Sequence, residues 1–211
     1  MSNMDLVEKL KKAPDAYKIV DEITRMLEAE KAKRKEFYDL VHENVKAEFI
    51  NGDIIFHSPV KNKHWLASYR ICSNLMPYVN SNKLGVVGTE KVMIRCSRND
   101  YEPDIVFFRK EISDAFSPDQ MLFPPPDLAV EILSPSTENT DREIKFADYA
   151  AHGVAEYWIV DTDQKSIEQY LLEGTQYKLN VKLTGDGILH AKVVEGFSLT
   201  IAEVFEKGFN T

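Results

Sequence analysis

Leu6, Leu10, Ala13, Tyr17 and Val20 recur in alternating steps of four and three, which lays them along one face of an amphipathic helix. Pro14 interrupts that face, so the helix is expected to stop near Ala13 and restart at Pro14 or Asp15. The stretch EAEKAKRKEF combines helix formers with dense charge and predicts an exposed helix leading into Phe37, Tyr38, Leu40 and Val41. Beyond it the pattern changes. KAEFINGDIIFHS reads as a strand, an Asn-Gly-Asp turn and a second strand. Asn62 to Tyr78 reads as a helix carrying Trp65, Leu66, Tyr69 and Leu75, and Gly85 to Cys96 as two short strands around Gly88. IVFF after Pro103-Asp104, then DLAVEIL and EYWIVD, predict buried strands. Before EYWIVD a helix is expected from about Asp141 to His152, opened by Thr140 with Glu143 three residues on and closed by Gly153. The remainder alternates through Tyr170, Tyr177, a Gly-Asp-Gly turn and Phe197, ending in a short helix near Ala202. Strands and helices interleave, so the expectation is a mixed α/β domain over residues 36–211 behind an N-terminal helical arm, 1–35. The arm would pack on its own domain or on a second copy of the chain, a homodimer.

Composition narrows the setting. Hydrophobic residues make up 44% and charged residues 28% of 211, an ordinary globular balance. No apolar run reaches the roughly 18 residues needed to cross a bilayer. MSNMDLVEKLKK lacks the apolar core of a secretory signal, so a cytoplasmic protein without a membrane partner is expected. Cys72 and Cys96 stand far apart and read as buried free thiols rather than a disulfide framework or a four-ligand zinc site. The net charge of −8 excludes a general nucleic-acid coat, because phosphate neutralisation supplies most non-specific affinity. DNA binding would need a local basic surface, for which Lys61, Lys63, Arg70, Arg95, Arg98, Arg109, Lys110 and Arg142 are available.

The candidate chemistry lies in three acids. Asp104 follows Pro103 and precedes an apolar strand. Glu131 stands inside DLAVEIL, and Glu48 comes just before the Asn51-Gly52-Asp53 turn. An acid in a run of Val, Ile and Leu is costly to bury unless it is paired or bound to a metal. Strand alternation puts Glu131 on the face of Ala129 and Leu133, opposite Val130 and Ile132. Asp104 and Glu131 on adjacent strands, with a backbone carbonyl near Ile132, would supply the oxygen ligands that a hard divalent cation takes. Lys145, on the next helix, is the candidate to orient a water or stabilise developing negative charge. Each residue also has a plainer reading. Asp104 could begin a strand or a turn, Glu131 could pair with Arg95 or Arg109, and Lys145 could form an exposed helical ion pair with Asp141.

The run PDIVFFRK, followed by PPPDLAVEILSPSTENTDREIKFADYAAHGVAEYWIVD, resembles the Uma-two family of endonucleases in the restriction-endonuclease-like superfamily, whose motif is PD…(D/E)XK. AEFINGDI and HWLASYRICSNL are similar to that family's hairpin and histidine-led helix. The likeness covers roughly Glu36 to Phe205 and leaves the first thirty residues outside it. It implies a restriction-endonuclease-like mixed β-sheet core flanked by helices. It also implies that Glu48, Asp104 and Glu131 bind Mg2+, with Mn2+ as an alternative, and that Lys145 takes the place of the motif lysine. The position two after Glu131 is Leu133, a departure from the motif. His64 opens the family's helix and either faces the same cleft or serves the fold, while Tyr149, one turn beyond Lys145, is a lesser candidate for the site and is expected to pack in the core. Three functions follow, in order: a metal-dependent DNA endonuclease, a nuclease-fold binding or regulatory module without catalysis, and a hydrolase of RNA or another phosphodiester. No aromatic platform or RNA module is legible for the third.

Overall fold

The computed structural model describes residues 3–41 and 45–205. The chain divides into two compact units, Met1–Phe56 and His57–Thr211. In the first, α1 (Asn3–Lys12) and α2 (Ala16–Leu40) are separated around Pro14, as the missing amide of proline requires. Tyr17, Val20 and Ile23 of α2 are exposed, while Phe37 is fully buried and packs its ring 5.7 Å from that of Phe49. Strands β1 (Ala47–Ile50) and β2 (Asp53–Phe56) form the expected hairpin with Ile50 opposite Asp53. Asn51 and Gly52 turn it at φ 51° and 89°, the paired positive angles that an Asn-Gly turn tolerates best. The arm boundary expected at residue 35 falls inside α2.

The second unit opens with α3 (Asn62–Asn82), which runs through Pro77 and stops at Lys83 in the left-handed region. There follow β3 (Gly85–Thr89), β4 (Met93–Arg95), β5 (Asp100–Tyr101), β6 (Ile105–Arg109), a four-residue helix α4 (Lys110–Ser113), β7 (Leu122–Phe123) and β8 (Leu128–Ile132). A π-helical turn, Thr140–Lys145, runs straight into α5 (Phe146–Ala151). Strands β9 (Glu156–Asp161), β10 (Ser166–Glu173), β11 (Gln176–Thr184), β12 (Ile188–His190) and β13 (Ser198–Thr200) then lead to α6 (Ile201–Phe205). Six strands form the main sheet in the order β11-β10-β9-β8-β6-β3. All its pairs are antiparallel except β8 with β9, which are parallel and joined by the helical crossover. Apart from it, β4 pairs with β5 and β7, and β12 with β13.

Alternation sorts the sheet into two faces. Ile105 and Phe107 of β6, Leu128, Val130 and Ile132 of β8, and Trp158 and Val160 of β9 share one core with Ile71, Leu75 and Val79 of α3. Each of these side chains is at most 1% exposed, and burial of that kind stabilises by about 1.5–3 kcal/mol per large side chain. Glu131 points the other way, towards the face that the crossover covers.

Two local expectations are corrected. Gly88 lies inside β3, and the break between the strands comes at residues 90–92, where Glu90 adopts φ 55°. The crossover helix does not open with a Thr140–Glu143 capping box. Helical backbone begins earlier, at Glu138, and Asn139 is already at φ −66°, ψ −39°. Thr140 is therefore internal, and its hydroxyl has no terminal amide to cap. The other end fits the expectation, with Gly153 at φ 80° beyond α5.

Candidate active site

The β8–β9 crossover explains how a lysine fourteen residues away reaches Glu131. After β8 the chain turns through Ser134-Pro135-Ser136-Thr137, then folds back over the sheet as the π-helical turn and α5. Lys145 Nζ lies 3.0 Å from Glu131 Oε1 and 3.2 Å from Asp141 Oδ1. Tyr149, one turn on, donates its hydroxyl to the same Glu131 Oε1 at 2.9 Å. All four side chains are almost fully buried. Tyr157 seals this end by donating to the Asp141 carbonyl at 3.0 Å. Burial first, then the charges of Glu131 and Asp141, hold its hydroxyl well above the usual tyrosine range, so it stays a neutral donor. π-helical turns often mark functional sites, and this one carries both Asp141 and Lys145.

Asp104 stands just before β6, whose Ile105 is opposite Val130 of β8. Its Oδ2 accepts the Ile132 N–H at 2.8 Å and lies 3.2 Å from His64 Nε2. His64 comes from the first turn of α3 and is 8% exposed, as is Asp104. The unit thus carries two groups, Asp104 with His64 and the Ile132 backbone, and Glu131 with Lys145, Tyr149 and Asp141, which meet the sheet at the successive residues Glu131 and Ile132 of β8. Glu48 belongs to the first unit, buried on β1 opposite Ile55.

The plainer readings resolve individually. Glu131 contacts Lys145 rather than pairing with Arg109, whose guanidinium instead grips Asp127 through Nε at 2.6 Å and Nη2 at 2.5 Å. The Lys145–Asp141 ion pair exists but is buried, not exposed. Tyr149 does pack in the core, with its ring 5.3 Å from Tyr101, yet its hydroxyl belongs to the site. Asp141 and Tyr149 as site residues were foreshadowed only by spacing, four before and four after Lys145 on one helical face. The proposed basic surface is partly consumed by acids: Lys63 pairs with Asp163, Lys110 with Asp114, and Arg142 with Glu138 and Glu168. Lys61 and Arg95 are exposed.

A second cluster, Cys96, Asp148 and His152, has ligand-type atoms within 4.8 Å of one another. Its hydrogen bonding is that of a structural staple. The Ser97 N–H donates to His152 Nε2 at 2.9 Å, which assigns the imidazole proton to Nδ1, facing Asp148 Oδ1 at 3.0 Å. Asp148 Oδ2 accepts from Asn99 and from Tyr101, each at 2.7 Å. Burial and that carboxylate push the Tyr101 hydroxyl far up, keeping it a donor.

Comparison with known proteins follows the same outline. The crystal structure of a putative nuclease from Anabaena variabilis is similar over 81% of this chain and 96% of its own length, with a TM-score of 0.70 and 20% identity. The architecture is accordingly the restriction-endonuclease-like fold, a mixed β-sheet flanked by helices. The sequence profile of the Uma2 family, described as "Putative restriction endonuclease", matches residues 34–202, and the chain belongs to that family. No curated protein matches the sequence. Among the described residues, no helix is long and apolar enough to cross a membrane.

Proposed function

We propose that this chain is a metal-dependent endonuclease that hydrolyses phosphodiester bonds in DNA. Asp104, Glu131 and the Ile132 carbonyl would hold Mg2+, or Mn2+ in its place. The observation that carries the reading is a pair of buried carboxylates, Glu131 on β8 fixed by Lys145 and Tyr149, and Asp104 just before the neighbouring β6 fixed by the Ile132 N–H and His64. The donor set fits a hard cation: every candidate ligand atom is oxygen, from carboxylates and a peptide carbonyl. Among the described residues, His64 Nδ1 is buried without a hydrogen-bond partner, the kind of position that a buried water satisfies. When bound, the cation would polarise the phosphoryl oxygen and acidify a nearby water.

The chain's own residues do the rest. Tyr149 and Lys145 hold Glu131 Oε1 from the crossover, so the carboxylate cannot swing away from the strand end. Lys145 is shared by two carboxylates, and it would turn its ammonium towards negative charge developing on the phosphate. His64 and the Ile132 N–H fix the rotamer of Asp104. The test is nicking of supercoiled plasmid DNA with Mg2+ or Mn2+, using parent, Glu131→Ala and Asp104→Ala proteins whose folding is checked by circular dichroism. Metal-dependent nicking lost in both variants supports the reading, and activity indifferent to both sinks it.

A binding or regulatory module without catalysis is the second reading. It is favoured by the buried Glu131–Lys145–Asp141 network and by the net charge of −8. Folded protein that binds DNA without nicking it under any divalent metal would decide for this alternative.

A further inference from the structure

Helix α3 turns two aromatic rings to solvent. Trp65 and Tyr69, one turn apart, are 48% and 44% exposed. Their rings lie nearly parallel, with centroids 5.9 Å apart and 26° between planes. They border a groove of about 360 Å³ whose wall continues through Cys72 and Met76 and closes with Thr89 and Glu90 at the end of β3. The half-exposed rings and the apolar wall beside them make the groove a candidate for an apolar, flat occupant.

The groove lies beside the carboxylate centre. His64, one turn before Ser68 on the same helix, reaches Asp104 at 3.2 Å. On the opposite wall the Glu90 N–H donates to the Asp104 carbonyl at 3.0 Å. Burial pushes the Cys72 thiol up to about 12 against the opposing effect of a Ser68 hydrogen bond, and the charges of Asp104 and Glu90 add to the rise. The groove floor therefore feels the carboxylates of both the site and the wall. Glu90 keeps a left-handed backbone at φ 55°, a strained conformation for a non-glycine residue of the kind that clusters at binding sites.

The lining selects among ligands. A phosphate would meet apolar surface and the Glu90 carboxylate, so the groove is unsuited to the backbone of a nucleic acid. A flat ring with an exocyclic amine would stack on Trp65 and Tyr69 and donate to Glu90, as cytosine N4 does to acidic side chains. An apolar side chain of a partner protein would also fill the space, but closeness to Asp104 favours the nucleobase. We infer that this groove takes one unpaired nucleobase of the substrate strand, stacked on Trp65 and Tyr69, beside the phosphodiester held at the Asp104–Glu131 centre. The inference rests on the nuclease reading and sharpens it: the substrate is single-stranded, or opened, at the point of cutting, since a base inside a duplex is already stacked on its neighbours.

The chain has two tryptophans, and Trp158 is fully buried, so quenching by a stacked base reports on Trp65 while Trp158 emission reports that the fold is intact. The experiment titrates intact protein in EDTA with a short single-stranded DNA and with the same sequence as a blunt duplex, following tryptophan emission and the anisotropy of a labelled strand. Quenching by the single strand and not by the duplex is expected. It should vanish in Trp65→Phe, while Trp65→Ala should weaken single-strand binding by roughly 5- to 100-fold. Single-strand binding, or cutting by the metal-loaded parent, without quenching overturns the inference and leaves the nuclease reading standing. Equal quenching by duplex overturns the requirement for an unpaired base. Neither binding nor cutting of any DNA removes both, and returns the groove to the protein-partner alternative.

Discussion

Two glutamates on adjacent strands of one sheet are buried to the same degree and lead opposite lives. Glu156, in β9, is 0% exposed and Glu131, in β8, is 3% exposed. Glu156 faces the α3 core side, and neutral donors meet each of its oxygens. Trp158 Nε1 and Gln169 Nε2 reach Oε1 at 2.6 and 2.5 Å, and the amides of Lys192 and Val193 reach Oε2 at 2.7 and 2.8 Å. That carboxylate is a joint, tying β9, β10 and the segment after β12 together. Glu131 lies on the opposite face, held at Oε1 by an ammonium and a phenol, next to a strand that carries a second acid. A buried acid enclosed by fixed neutral dipoles serves the fold, whereas one held beside a cation and a second acid has the surroundings on which the proposed cation site rests.

The sharpest way to break the comparison is to give both acids the same treatment. Glu131→Ala is expected to reduce metal-dependent nicking by roughly 10³-fold. Glu156→Gln should leave the rate per folded molecule unchanged while lowering stability by about 2 kcal/mol, because an amide nitrogen would face N–H donors. Plasmid nicking and urea denaturation on the same preparations separate the two outcomes, and equal loss of nicking in both variants would erase the distinction. Lys145→Met comes next. Removing the ammonium takes from the buried Glu131 and Asp141 the cation they share, at a cost of about 3 kcal/mol near neutral pH. The deficit should shrink as acid protonates them, which urea midpoints across pH would reveal.

The smallest effect concerns Glu168. Burial alone would raise its carboxyl, but hydrogen bonds from Arg142, Lys182 and Tyr170 outweigh that and bring it to about 2. A depressed carboxyl stabilises the fold above its ordinary pKa near 4.5, and that contribution disappears as pH falls towards 2. Glu168→Gln should therefore be less stable than the parent at neutral pH and show a shallower loss of stability between pH 4.5 and 2.

The same pair of acids shows what the sequence could disclose. Glu131 in DLAVEIL and Glu156 in EYWIVD are both acids in apolar strands, and composition alone cannot tell joint from site. What singled out Glu131 was its context, Pro103-Asp104 before one strand and the Ser-Pro-Ser-Thr turn after the other, together with the family resemblance. The strands and the hairpin were legible because period-two alternation and the Asn-Gly turn are local signals. Lys145 was legible as a candidate, but its geometry depends on a π-helical turn, and no residue pattern announces one. Asp141 looked like half of a solvated ion pair because spacing fixes the partner and not the depth. The aromatic groove was hidden for the same reason: Trp65 and Tyr69 read as core positions of an amphipathic helix, and only the packed structure shows them half exposed along a groove.

The central claim is that Asp104 and Glu131 form a cation site, and calorimetric titration of Mg2+ and Mn2+ tests it most directly. The account predicts saturable binding to the parent and to Glu156→Gln and none to Glu131→Ala, with short DNA included in a parallel series in case substrate oxygens complete the site. Binding that survives unchanged in Glu131→Ala, or that is absent from the parent with and without DNA, would contradict it.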